Sequence, residues 1–348
     1  YTVVVTDANS VTATVAATVT KAAATTITGS NTVAMTAGTA FNTSAYQGAN
    51  GLAPYTYSVA ASGSLGGRIS INSTTGVVTL STAVTTGNSG NTFTVTATDS
   101  NSVAASMNVT LTVNAAIVVT GSTTVGATFG ATKTAAYGAT GGTGSDTFSI
   151  SPAPIDAGIT IDAATGLLTI ASTVAARSYN ITVTATDSVG ATGTLAVTVT
   201  VNAAIVVSGS STLGVTNGTA FTSSAYSASG GTGAKTFSLT GASTGITIGS
   251  GTGVIAVANT VAIGTYDITV VATDTNTVTG SLAVQITVNA ALSTTLVISS
   301  KTLTVGAATS FTPVTATGGS GALTYSISSL PSGLSINSAT GEITGTPS

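Results

Sequence analysis

The sequence predicts an all-β chain of tandem Greek-key β-sandwiches, and three observations carry that prediction. The first is self-similarity at a fixed period. Thr6-Asp7 recurs as Thr98-Asp99, Thr186-Asp187 and Thr273-Asp274, at intervals of 92, 88 and 87 residues. Thr75-Gly76, Thr165-Gly166, Thr252-Gly253 and Thr340-Gly341 keep the same beat, as do Tyr57, Phe148, Phe237 and Tyr325. A repeat of that length marks an array of like modules. The second observation is alternation: Tyr179, Ile181, Val183 and Ala185 interleave with Asn180, Thr182, Thr184 and Thr186, the period of two of a half-buried strand. The third is the absence of sustained helical periodicity in a chain rich in Thr, Val and Ile, which oppose helix.

Each unit reads as about seven short strands, the count of a two-sheet Greek-key sandwich. Ala203 to Val207, Phe221 to Tyr226 and Thr236 to Leu239 supply early ones. Ile159 and Ile161 precede Asp162-Ala163-Ala164-Thr165-Gly166, after which Leu168 and Ile170 resume the alternation; glycine there supplies the left-handed position of a hairpin loop. Tyr179 to Thr186 and Leu195 to Val201 flank the short polar link Asp187-Ser188-Val189-Gly190, a second hairpin. An aromatic heads the penultimate strand (Phe93, Tyr179, Tyr266 and Tyr1), expected as a core anchor whose hydroxyl, where present, reaches a backbone partner.

The organisation follows. Residues 1–20 read as the last two strands of a preceding repeat; 21–113, 114–201 and 202–288 are three repeats; 289–348 is a fourth lacking its last two strands. The joins Val113-Asn114-Ala115-Ala116, Val201-Asn202-Ala203-Ala204 and Val288-Asn289-Ala290-Ala291 contain no Gly, Pro or Ser tract. So little slack implies a semi-rigid rod.

Composition excludes several functions. Charged residues are 4% of the chain and the formal net charge is −3. Six scattered Lys and Arg form no basic stripe for nucleic acid. With no Cys and no His, disulfides, thiolate metal sites and the usual general base are all missing. No apolar run reaches the eighteen residues of a membrane span. Opening on Tyr1 inside a repeat, the chain is expected to be a processed product or a window on a longer polypeptide.

Candidate sites are few. Asp7, Asp99, Asp187 and Asp274 invite a calcium reading, but each stands nearly alone among nine Asp and Glu in the whole chain, and calcium takes six to eight oxygens. Capping of the following turn explains them better. Asp156 and Asp162 are the one carboxylate pair close enough to suggest a glycosidase, yet Asp162 aligns with Asn72, Gly249 and Asn337 and is a turn former. A Lys–Asn isopeptide bond needs a buried acid in each module, and the single Glu342 serves one. Sequons at Asn42, Asn72, Asn108, Asn180 and Asn217 leave glycosylation open. Thr94, Thr96 and Thr98 form a Thr-x-Thr run of the kind found on regular binding surfaces. The loop Tyr46 to Tyr57, with Tyr55 between them, is the best place for a glycan contact, although Tyr46 and Tyr57 recur as Tyr137 and Phe148 and so read as core. No catalytic, cofactor-binding or metal-ligating residue is assigned.

The phrase from Leu330-Pro331-Ser332-Gly333-Leu334 through Asn337-Ser338-Ala339-Thr340-Gly341 to Gly345-Thr346-Pro347 resembles the central signature of the immunoglobulin-like, cadherin-like repeats of large bacterial surface proteins. Gly264-Thr265-Tyr266 through Asp274, and Tyr179 through Asp187, resemble the strand that follows it in that family. The resemblance implies tandem Ig-like sandwiches on the cell surface, and no particular ligand. The expected role is a non-enzymatic segment of an extracellular fibre, sheath or adhesin stalk. Its expected partners are copies of itself or continuing repeats of the same polypeptide, head to tail, with surface glycans as a further partner. A glycan-binding adhesin module and an appendage of a secreted enzyme are the alternatives. Head and tail together make almost one module, so the fourth repeat should be completed by strands equivalent to Tyr1 to Thr20.

Overall fold

The computed structural model describes residues 1–61, 63–152 and 156–348. Among them strands dominate, and the helical segments are two single 3-10 turns, Gly63–Leu65 and Thr86–Asn88. The chain is all-β. Its contacts gather into two compact units: Tyr1–Thr123 with Thr134–Thr169 and Asn180–Thr198, and Thr124–Lys133 with Ile170–Tyr179 and Val199–Ser348.

The first unit opens on an antiparallel hairpin, Thr2–Thr6 with Thr12–Ala16, in a sheet of only two strands. Every residue of both strands is exposed. In the first repeat a four-stranded sheet runs Thr32–Thr36, Ala104–Asn114, Thr92–Thr98, Thr56–Ala61; the first pair is parallel and the others antiparallel. A three-stranded sheet of Phe41–Asn42, Val78–Leu80 and Ile69–Ile71 supplies the other layer. Alternation sets the inner face: Phe93, Val95, Val109 and Leu111 from one sheet and Val78 and Leu80 from the other join one core. Burying such side chains contributes about 1.5–3 kcal/mol each. Thr147–Ser151 of the second repeat pairs antiparallel with the end of Ser178–Thr186, Thr147 opposite Thr186.

In the second unit the third repeat repeats this plan. Thr212–Thr216 runs parallel to Thr279–Asn289, which pairs with Gly264–Thr273, which pairs with Thr236–Thr240. Phe221–Thr222, Ile255–Val257 and Ile246–Ile248 form the second layer, and Val270, Ile286 and Ile255 meet in the core. The fourth repeat holds only Ser293–Leu296 with Val314–Thr317, and Thr309–Phe311, Ile343–Gly345 and Leu334–Ile336. Residues 300–304 and 324–328, which correspond to Thr212–Thr216 and Thr236–Thr240, carry no strand. Both of those third-repeat strands pair with the final hairpin, so without it their equivalents have no partner for their backbone groups.

Register corrects one sequence equivalence. Phe93 lies opposite Val109, the place Ile268 holds opposite Val284; Tyr266 lies two residues earlier, opposite Ile286. Phe93 and Tyr1 stand six residues before their aspartate, whereas Tyr179 and Tyr266 stand eight before theirs. The anchors also differ in burial. Phe93 and Tyr179 are buried, Tyr266 is half-buried and Tyr1 is 71% exposed. The hydroxyls of Tyr179 and Tyr266 donate to the carbonyls of Ala175 and Ala262, at 3.0 and 2.9 Å.

Candidate functional site

The four recurrent aspartates each close the hairpin that follows. Oδ1 accepts from the backbone N–H groups two and four residues on: Asn9 and Val11 for Asp7, Asn101 and Val103 for Asp99, Val189 and Ala191 for Asp187, Asn276 and Val278 for Asp274, all within 2.8–3.0 Å. This is the local side-chain capping that places Asp in turns. The second oxygen reaches further. Asp99 Oδ2 accepts from the Leu52 N–H at 3.1 Å and the Thr25 hydroxyl at 2.9 Å. Asp187 Oδ2 accepts from the Thr143 N–H at 2.9 Å and from the hydroxyl of Thr36. Asp274 Oδ2 accepts from the Thr232 N–H at 2.8 Å and the Thr128 hydroxyl at 2.6 Å.

Thr36 belongs to the repeat before Asp187, and Thr128 to the repeat before Asp274. The carboxylates therefore tie consecutive repeats together. At the first boundary the Asn114 amide donates to the Thr143 hydroxyl at 3.0 Å, and Thr143 lies 2.9 Å from the Thr36 hydroxyl. At the second, the Asn202 amide donates to the Thr232 hydroxyl at 3.0 Å, and Thr232 lies 2.9 Å from the Thr128 hydroxyl. Sequence reading finds the aspartates but assigns them only to their own turns. The signal for the rest was present: Asn114 and Asn202 recur at the joins, and Gly141-Gly142-Thr143-Gly144 recurs as Gly230-Gly231-Thr232-Gly233.

The electrostatics follow from the donors. On Asp99, N–H groups of Leu52 and Val103 hold the carboxyl below the usual carboxylate range, with smaller help from Thr25 and Asn101. On Asp187 and Asp274 burial pushes upward. The hydroxyls of Thr36 and Thr128 and the surrounding N–H groups together outweigh it, and both carboxyls sit below the usual range. Each carboxylate is ringed by donors, which is the wrong surrounding for calcium, whose shell is made of oxygen lone pairs. No group of three or more His, Cys, Asp or Glu among the described residues lies close enough to hold a metal.

The other candidates are engaged locally. Asp162 Oδ1 accepts from Ala164 and Thr165, the geometry that Asn72 and Asn337 repeat at the same turn. Hydrogen bonds from the Thr165 backbone and hydroxyl, then from Ala164, hold the Asp162 carboxyl below its ordinary range. Asp156 Oδ1 accepts from the Gly158 N–H of its own turn. Glu342 takes the Ser310 hydroxyl. Thr94 and Thr96 bond across the sheet to Asn108 and Ser106 at 2.8 and 2.9 Å. Among the sequons, the Asn217 amide donates to the Val261 carbonyl. Tyr46 and Tyr57 are buried, with hydroxyls bonded to the Ser30 carbonyl and the Gly48 N–H, and Tyr55 is half-buried. The three tyrosines form no exposed platform.

The sheets and their repetition define a tandem immunoglobulin-like repeat protein. Residues 291–348 match the family model described as Putative Ig domain. No curated protein matches the chain. Among solved structures the chain is similar to the three N-terminal domains of the bacteriophage RB49 Highly Immunogenic Outer Capsid protein, at 14% identity over 76% of this chain and 98% of that one, with a TM-score of 0.46. It is similar to the extracellular cadherin domains 3–6 of protocadherin gamma B2 at 16% identity over 91% and 90%, TM-score 0.25. It is similar to mouse cadherin-23 EC22-24 at 17% identity over 77% and 99%, TM-score 0.25. None of these likenesses names a ligand for this chain. Among the described residues no helix is long and apolar enough to cross a membrane.

Proposed function

We propose that the chain is a non-catalytic structural segment of an extracellular fibre, sheath or adhesin stalk, joined head to tail to like repeats. One observation carries the reading: the fourth repeat is open where the third is filled, and the first hairpin has the shape of the filling. A cleft of about 610 Å³ lies between the layers of the fourth repeat, lined by Leu292, Val314, Leu323, Tyr325, Ile327 and Ile336. Counted back from the shared aspartate turn, Val3 and Val5 correspond to Val270 and Ala272 of the third repeat, which are fully buried. Val3 and Val5 are 43% and 65% exposed. Unpaired strands with an apolar face invite strand addition. Strands equivalent to Tyr1 to Thr20, from a continuing polypeptide or a second copy, complete the sandwich, and a head-to-tail contact of that kind propagates.

Electron microscopy and light scattering of the chain test this. Assembly into filaments or long oligomers is expected, abolished by Val3→Asp with Val5→Asp and retained by Thr12→Asp, whose equivalent Thr279 is exposed. A Val3→Asp/Val5→Asp variant that assembles like the parent overturns the proposal, and a chain that stays monomeric at tens of micromolar overturns completion by a second copy.

A further inference from the structure

Seven polar or charged residues are buried among those described: Thr25, Thr36, Asn88, Asp99, Thr128, Asp187 and Asp274. Six of the seven are the members of the three Thr–Asp pairs. Burying a carboxylate is costly unless every lone pair is satisfied, so each pair holds only in one geometry. At two boundaries that geometry spans consecutive repeats. We propose that Asn114, Thr36, Thr143 and Asp187, and again Asn202, Thr128, Thr232 and Asp274, act as metal-free latches that fix the angle between one repeat and the next. The reading is independent of what completes the fourth repeat.

Three features support a latch over incidental contact. The bonds are directional and charge-assisted, so tilting one repeat breaks them, whereas an apolar contact slides. At the second and third boundaries the seat is sterically tight: a Cβ at Gly126 would stand 2.7 Å from Thr232 Cγ2, and one at Gly214 would stand 2.3 Å from Ser320 Oγ, whereas Ala34 holds that place at the first. Ser320 occupies in the fourth repeat the place of Thr232, so the third boundary seats its loop in the same way. Finally, the second boundary adds a peripheral bridge, in which Lys133 Nζ donates to Asn276 Oδ1 at 2.9 Å and the Asn276 amide donates to the Gly126 carbonyl at 2.9 Å.

The chain has no cysteine, so spin labels on Ala176→Cys and Thr247→Cys, both exposed, report the distance across the second boundary in the full chain. A single narrow distribution is expected, unchanged by a chelator. Thr128→Val should at least double its width, and Thr128→Ser should restore it. Hydrogen exchange at Val270 and Ile286 checks that the third repeat stays folded. Should Thr128→Val unfold it, Gly126→Leu, larger than the Ala34 that holds this place at the first boundary, tests the same seat from the other side and should broaden or displace the distribution. A parent distribution already broad, one not broadened by a folded Thr128→Val, one neither broadened nor displaced by Gly126→Leu, or broadening on chelation overturns the latch.

Discussion

The third and fourth repeats begin on the same phrase and end in different states. Ile205, after Asn202-Ala203-Ala204, is 8% exposed; Leu292, after Asn289-Ala290-Ala291, is 56% exposed. Both repeats build the short hairpin around their Thr-Gly turn, and Ile255 and Ile343 are buried alike. Beyond that, only Gly341 and Pro347 are buried among residues 290–348. The strands Gly264–Thr273 and Thr279–Asn289 make the difference. They give Thr212–Thr216 and Thr236–Thr240 their hydrogen-bond partners and close the core with Val270, Val284 and Ile286. Five strands' worth of sequence forms turns locally, but the sandwich exists only once its last hairpin is in place.

Core truncation should separate the two repeats most. Ile286→Ala removes a fully buried side chain and should destabilise the third repeat by about 2–5 kcal/mol. Leu292→Ala and Leu296→Ala, at 56% and 64% exposed, should stay within about 0.5 kcal/mol. Denaturant unfolding followed by hydrogen exchange in each repeat reads both, and equal costs would show that the fourth repeat is packed as well as the third.

Within the third repeat the aromatics grade the same way. Tyr226, 3% exposed and bonded to the Ser210 carbonyl, should cost about 3–5 kcal/mol as Tyr226→Ala. The half-buried Tyr266, which the sequence places as a full core anchor, should cost less, about 1–3 kcal/mol. The other repeats should keep their own exchange protection. A single step unfolding all of them would show that the repeats are not near-independent.

Acid gives a smaller contrast. Asp187 and Asp274 have folded pKa values below the unfolded value of about 3.9. Their contribution is therefore complete above about pH 5 and is lost as pH falls through the folded pKa. Two charged groups lie nearby: Asp146 beside Gly142 near Asp187, and Lys133, whose Nζ donates to the Asn276 Oδ1 two residues on from Asp274. The unfolding midpoint of the third repeat should drop between pH 5 and pH 3, and Asp274→Asn should flatten that curve. The fourth repeat, with no such aspartate, should change less. The smallest effect is expected from calcium: melting temperatures with and without chelator should coincide, and a fall of about ten degrees would refute the metal-free reading.

Alternation and spacing alone carry the all-β class, the period, the inner and outer faces of the strands in the complete repeats and the turn role of every recurrent aspartate. These are local matters, set by alternation and by side chains that bond two and four residues away. Tertiary structure alone decided three things. It placed Asp187 Oδ2 on Thr36 and Asp274 Oδ2 on Thr128, 151 and 146 residues distant, because only folding brings one repeat's strand end against the next repeat's loop. It set Phe93 opposite Val109 in a buried place and Tyr266 opposite Ile286 in a half-buried one, because cross-strand neighbours decide how far each ring is covered. It left residues 324–328 without a strand despite the alternation of Tyr325 and Ile327, because a strand's hydrogen bonds are made to a neighbour and not within itself.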